Sequence, residues 1–146
     1  MKFVKIFWYL FVVFVFIPQI GLSQTLDVCI KNIHGMNGQI CVAVFADEAG
    51  FEAEKTVWRT ICPKSKVVNG ELHMKIHMQP GKYGLSVLDD ENENRKMDYK
   101  LFGIPREGFG FSNYYQKPLR KPVFDDFSFV VEKNVTMQIT IMMRYL

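Results

Sequence analysis

Glu71-Leu72-His73-Met74-Lys75-Ile76-His77-Met78 alternates polar and apolar side chains without a break. A period of two is the signature of an extended strand with one dry face. Leu72, Met74, Ile76 and Met78 point one way; Glu71, His73, Lys75 and His77 point the other. On a helix the same four apolar groups would be scattered around the axis. Gln79-Pro80-Gly81 makes a tight turn, after which Tyr83, Leu85 and Val87 face the core from a further strand.

The same period extends in both directions. Towards the N-terminus, Leu26, Val28 and Ile30 alternate with Asp27, Cys29 and Lys31. The turn His34-Gly35-Met36-Asn37-Gly38 then leads to Ile40, Val42 and Val44, which predicts a β-hairpin with a longer, Gly-containing loop. Asp47 to Lys55 is polar and reads as a loop or helical turn, and Val57 to Cys62 is a third strand stopped by Pro63. Towards the C-terminus, Phe127, Phe129 and Val131 alternate again, and Val135, Met137, Ile139, Ile141 and Met143 form the longest regular run. About seven strands with hairpin-like turns, and no four-turn helix, predict an all-β, two-sheet β-sandwich of immunoglobulin-like or transthyretin-like (prealbumin-like) type. Residues 89–125 have little periodicity. An irregular stretch of that length in a compact domain usually carries a role or is ordered by a ligand.

The chain has 146 residues and a net charge of +3, of which Lys2 and Lys5 belong to an apparent leader. The remainder is close to neutral, so no single-sign field points to nucleic acid or to an anionic membrane surface. Residues 1–23 read as a secretory signal peptide: two lysines, the apolar run Ile6 to Ile17, Pro18, then Gly21-Leu22-Ser23 before a cleavage point between Ser23 and Gln24. Twelve helical residues span about 18 Å, against about 30 Å of hydrocarbon, which disfavours a membrane anchor. The expected product is a soluble, periplasmic or extracellular protein of residues 24–146, one domain with no transmembrane segment.

Export permits disulfides. If the first hairpin pairs symmetrically about Gly35, Cys29 falls opposite Cys41, about 4.5 Å apart at Cα in a non-hydrogen-bonded pair. A Cys29–Cys41 disulfide with Cys62 free is then expected; a Cys41–Cys62 bond and three unpaired thiols are the alternatives.

The chemically richest segment is Asp89 to Lys100, DDENENRKMDYK. Asp90, Asn92, Asn94 and Asp98 occupy positions one, three, five and nine of a calcium-loop pattern, with the Lys96 carbonyl at seven. Arg95 stands where the pattern has Gly, and Leu101 where it has Glu. The competing reading is a polar loop of Asx-turns whose side chains cap its own backbone, and the two departures favour it.

His73 and His77 are four apart, which on a strand is about 13 Å, too far to share one ion. His34 sits in a turn with no ligand pattern around it. Ser112, in GFGFSN, lacks the nucleophile-elbow context; a triad with a histidine and Asp125 or Asp126 is disfavoured, and Ser112 and Asn113 read as groups that bond to backbone. Phe109, Phe111, Tyr114 and Tyr115 either pin the long segment to the sandwich or line a groove. Glu107, if buried among them, needs Arg106 or backbone donors. Asn134-Val135-Thr136 fits a glycosylation sequon, relevant only in a eukaryotic secretory route.

Several of these segments together resemble one family. They are Asn37-Gly38-Gln39-Ile40 through Phe45, Gly50-Phe51, PGKY at 80–83, DDENENRKMD at 89–98, FGIPREGFGFSN at 102–113, and PVFDDFSF at 122–129. They are similar to an uncharacterised family of exported bacterial proteins, domain of unknown function 2141. The resemblance implies a prealbumin-like β-sandwich with no established activity. The family's loop usually reads His-Asp-Glu-Asn-Gly-Asn-Gly-Lys-x-Asp; here Asp89 replaces the His, and Glu93 and Arg95 replace the two glycines. Glu107, Gly108, Gly110, Ser112 and Asn113 match the family motif, without an assigned role.

These readings converge on an exported, non-enzymatic β-sandwich module of the cell envelope, with a binding or structural task. Its partner is an envelope protein or a small ligand held by the 89–125 segment, with Glu107, Phe109, Phe111, Ser112 and Asn113 as ligand-binding candidates. Asp90, Asn92, Asn94 and Asp98 are candidate ligands of a structural calcium ion, and calcium is the only cofactor suggested. The alternatives are a secreted hydrolase-like enzyme built on Glu107 and Ser112, and a structural subunit that assembles through its edge strands.

Overall fold

The computed structural model describes residues 24–117 and 120–146; the expected signal peptide, residues 1–23, lies outside them. Among the described residues there are eight strands: β1 (Gln24–Lys31), β2 (Gln39–Phe45), β3 (Trp58–Pro63), β4 (Leu72–Met78), β5 (Gly81–Asp90), β6 (Gly108–Phe111), β7 (Ser128–Val131) and β8 (Met137–Met142). Two short helices, α1 (Glu48–Glu52) and α2 (Phe124–Phe127), interrupt them.

The strands form two sheets. One has the order β4-β1-β8, with β1 antiparallel to β4 and parallel to β8. The other has the order β3-β2-β5-β6, and β7 pairs with the first half of β5, so β6 and β7 follow one another along the same edge. The alternating apolar rows meet between the sheets: Leu26, Val28 and Ile30 and Ile139 and Ile141 from one side, Ile40, Val42 and Val44 and Leu85 and Val87 from the other. All are at most 2% exposed, so the period of two marks the dry faces of these strands, and the fold is the expected all-β, two-sheet class; Val135, expected to begin the last strand, is exposed and precedes β8, and Phe127, expected to begin β7, lies in α2.

The neighbours are not those expected. Residues 24–31 and 39–45 do not form a hairpin, because β1 has β4 and β8 on its two edges while β2 lies in the other sheet. Alternation reveals which face of a strand is buried, not which strand lies beside it. Splitting the pair lets the two apolar rows face each other across the sandwich rather than lie side by side. The Cys29–Cys41 disulfide falls with the hairpin: the two residues sit on different sheets, and all three cysteines are free thiols. Burial and the neighbouring Asp90 carboxylate push the Cys41 thiol up to about 12, so it stays protonated. The Gln79-Pro80-Gly81 turn likewise carries the chain from one sheet to the other rather than between paired neighbours.

A second core lies on the outer face of the larger sheet. Phe45, Phe109, Phe111, Phe124 and Phe127 are buried there, with Phe51, Met97 and Tyr114 packed against them. The rings meet edge-on or tilted, with Phe51–Phe127 and Phe111–Phe127 centroids both 4.9 Å apart. β6, which lies inside the segment read as irregular, presents Phe109 and Phe111 to this core and its glycines to the other side. A Cβ on Gly110 would meet Ile141 Cγ2 at 2.7 Å, and one on Gly108 would meet the Tyr145 ring at 2.2 Å. The two glycines let the C-terminal strand close over β6, where isolated bridges Phe109–Arg144 and Ser112–Ile141 join the sheets.

Gly38 sets the start of the long loop against the β1–β2 connection. Its φ is +86°, and an added Cβ would lie 2.2 Å from the Asp90 carbonyl oxygen. Gly103, also left-handed at +72°, has nothing within 4 Å. In urea unfolding, Gly103→Ala is expected to cost only the left-handed penalty, roughly 1–2 kcal/mol. Gly38→Ala is expected to cost more, about 2–3 kcal/mol, because the loop backbone must also shift. Equal losses at the two positions would show that the close approach at Gly38 is not a constraint.

Candidate functional site

β5 ends in Asp89 and Asp90, both fully buried, which point to opposite faces of the sheet. Asp89 faces inward. Lys64 Nζ lies 2.6 Å from its Oδ1, with both side chains at most 1% exposed. The contact misses ideal hydrogen-bond angles, but at that separation the two charges pair directly. The Tyr145 hydroxyl donates to Asp89 Oδ2 at 2.6 Å and accepts from the His34 amide at 2.9 Å. Lys64 also donates to the His34 carbonyl, and the His34 and Tyr145 rings stack at 4.0 Å. Burial and the hydrogen bond to Asp89 push the Tyr145 phenol up, so it stays protonated and remains a donor.

Asp90 faces outward and organises the loop. It accepts from Gln39 Nε2 at 2.7 Å, from the Asn94 amide at 3.0 Å and from the Arg95 amide at 2.9 Å. Glu107, 3% exposed, accepts from the Glu91 and Asp98 amides, both at 3.1 Å, and so ties the two ends of the loop together. Burial raises the pKa of Glu107, its two amide donors oppose the rise, and the nearby Asp98 and Asp90 charges add to it. Asp98 accepts from the side-chain amides of Asn92 and Asn94. Asn92 Oδ1 and Asn94 Oδ1 accept from the Asn94 and Lys96 amides.

The structure thus brings Asp90, Asn92, Asn94 and Asp98 into one curl, as the calcium pattern anticipates. Their oxygens, however, are engaged by N–H donors of the loop itself, which is the Asx-turn arrangement. Glu93 and Arg95 have φ of 60° and 63°. The two positions where the resembling family has glycine therefore keep the left-handed backbone that glycine favours, and the turn survives at a cost of roughly 1–2 kcal/mol per residue.

The five ligand-binding candidates are structural in their contacts. Phe109 and Phe111 belong to the aromatic core, and Glu107 braces the loop. Ser112 is fully buried; its hydroxyl donates to the Phe127 carbonyl at 2.6 Å and accepts from the Leu85 amide at 2.9 Å. Asn113 exchanges backbone and side-chain bonds with Thr140 and so fastens β6 to the other sheet. Asp125 is exposed and pairs with Lys82, and Asp126 pairs with Arg120.

The part of the segment turned to solvent is its tip. Phe102 is 97% exposed and Leu101 81%, flanked by exposed Tyr99 and Ile104. The neck below them is closed by Lys100 N–H to Ile104 carbonyl at 2.7 Å and Arg106 N–H to Asp98 carbonyl at 2.8 Å. The sequence signals above do not mark this tip or the buried roles of Lys64 and Tyr145, and they give His34 only a place in a turn. A run Tyr-Lys-Leu-Phe-Gly-Ile inside a polar, aperiodic segment was a usable signal for the tip. Nothing local marks Lys64 as buried, since it lies among polar and basic neighbours.

These features define a β-sandwich of two sheets with an aromatic second core and a self-braced loop at one end. The chain belongs to a bacterial family described as an uncharacterised protein conserved in bacteria (DUF2141), whose model matches residues 28–139. No curated protein and no solved structure matches it. Among the described residues no helix is long and apolar enough to cross a membrane.

Proposed function

We propose that this protein is an exported, non-enzymatic binding module of the cell envelope that engages a partner protein through the 99–104 tip. One contrast carries the reading: the buried polar groups of the segment are spent on holding the loop in shape, while its large apolar groups are held out in water. Exposing Leu101 and Phe102 on a rigid neck costs solvation free energy that a partner can recover. Arg95, Lys96, Lys100 and Arg106 outnumber Glu91 and Glu93 on the exposed loop, so the matching surface is an apolar pocket edged by acidic groups. The leader at residues 1–23 supports export. The hydrolase alternative finds no support in the geometry, because Ser112 is sealed by backbone partners and its hydroxyl bonds to no histidine among the described residues.

The test is photo-crosslinking in expressing cells, with the reactive group at Ile104 and, as a control, at exposed Val130 on another edge. The expected result is a discrete protein adduct from Ile104 that Phe102→Asp reduces at least tenfold, and no such adduct from Val130. Adducts to lipid alone, or an adduct indifferent to Phe102→Asp, would overturn the reading.

A further inference from the structure

The outer face of the smaller sheet holds a cluster that the loop does not involve. Cys29 on β1 and His73 on β4 are direct cross-strand partners, so their side chains leave the sheet side by side. Cys29 Sγ lies 3.8 Å from His73 Nε2, and His73 Nε2 lies 3.2 Å from Glu71 Oε2. The three ligand atoms all lie within 4.8 Å of one another. In a tetrahedral site with metal–ligand bonds of about 2.0–2.3 Å, neighbouring ligand atoms are about 3.4–3.6 Å apart. The 3.8 and 3.2 Å separations at His73 bracket that value, and the Cys29 and Glu71 atoms lie within 4.8 Å of each other.

We propose that Cys29, Glu71 and His73 form a binding site for a borderline-soft divalent transition-metal ion, with Zn²⁺ as the best match. Sulfur, imidazole nitrogen and one carboxylate oxygen suit such an ion and not calcium or magnesium, which take oxygen sets. The charge balances: a thiolate and a carboxylate neutralise the dication, and the thiol proton passes to solvent on binding. Lys31 Nζ lies 3.5 Å from Glu71 Oε1, which occupies that oxygen and leaves Oε2 turned to His73. Burial and the Glu71 charge push the Cys29 thiol up, and a bound dication would offset both effects. His73 and Glu71 are partly exposed, so an ion has access. Cys29 and His73 also line a shallow groove of about 550 Å³, with Lys75, Gln138 and Thr140 among its other walls, which leaves room for water or a small exogenous ligand beside the three side chains. Cys62 is buried in the core, Cys41 is bonded to Asp90, and His77 pairs with Thr25, so none of these joins the site.

Cobalt(II) titration of the reduced full chain, purified from expressing cells, tests the site. The expected result is a thiolate-to-cobalt charge-transfer band with visible bands of tetrahedral intensity, displaced by one equivalent of Zn²⁺. Cys29→Ser should abolish the charge-transfer band, His73→Gln should weaken binding by more than the roughly tenfold that loss of even an outer partner costs, and Cys62→Ser and His77→Gln should leave both unchanged. Cys29 is half-buried on the outer face of the sheet and outside the core, so unchanged circular dichroism of Cys29→Ser will separate lost ligation from lost fold. No thiolate band in the wild type, or a band that persists in Cys29→Ser, would overturn the proposal. The crosslinking result at the loop tip does not bear on it.

Discussion

Lys64→Met is expected to destabilise the protein by about 3–5 kcal/mol, the range measured when one partner of a buried ion pair is removed. The substitution preserves length and apolar bulk, so the loss reports the charge left behind. Asp89 is fully buried, and without Lys64 its remaining side-chain donor is Tyr145, which neutralises nothing. The His34 carbonyl loses its bond from Lys64 in the same step. Adding Asp89→Asn to Lys64→Met should recover most of the loss, because a neutral amide still accepts from Tyr145 and no longer needs a cation. The coupling between the two sites in a double-mutant cycle then measures the pair itself. Urea unfolding of the four proteins is sufficient. A Lys64→Met cost below about 1 kcal/mol, typical of an exposed pair, would mean that the two groups do not form a buried ion pair.

Asp90→Ala should cost about 5 kcal/mol, since it removes one charged acceptor from the Gln39, Asn94 and Arg95 N–H donors, each such bond being worth about 1.5–3 kcal/mol, and from the weaker Cys41 thiol donor. Two of the donors are the Asn94 and Arg95 amides, so the loss falls on the loop rather than on the sheet. Hydrogen exchange at those two amides should accelerate far more than at the strand amides of β5. Loosening the neck should also weaken the tip crosslink from Ile104, although position 90 lies outside the exposed surface. In the wild type, excess calcium and chelator should give the same melting curve, because the loop oxygens already have N–H partners. A calcium-specific rise in the midpoint, lost in Asp90→Ala, would instead make the curl a metal site and recast its internal hydrogen bonds as those of an ion-free state.

The two cases mark where sequence reading stops. The alternation of Leu26, Val28 and Ile30, and of Ile139, Ile141 and Met143, determined by itself that these segments are strands and which of their faces is dry, since side-chain direction along a strand is a local property of the backbone. It determined the all-β class for the same reason. Strand partnership is not local. The edges of β1 are taken by β4 and β8 because the sheets must stack with apolar rows inward, and that choice separated Cys29 from Cys41 and placed Cys29 beside His73. β6 escaped notice because Gly108 and Gly110 erase one half of the alternation; their role is visible only once Tyr145 and Met143 are seen packed against them. The oxygen-rich curl at Asp90 was legible, and so was the alternative that its side chains cap its own backbone, but which donors those oxygens meet depends on the loop's path. Only the tertiary structure decided that Lys64 and Asp89, far apart in the chain, pair in the core. A buried charge is tolerated by its partner, and that partner is set by packing between sheets rather than by neighbours in sequence.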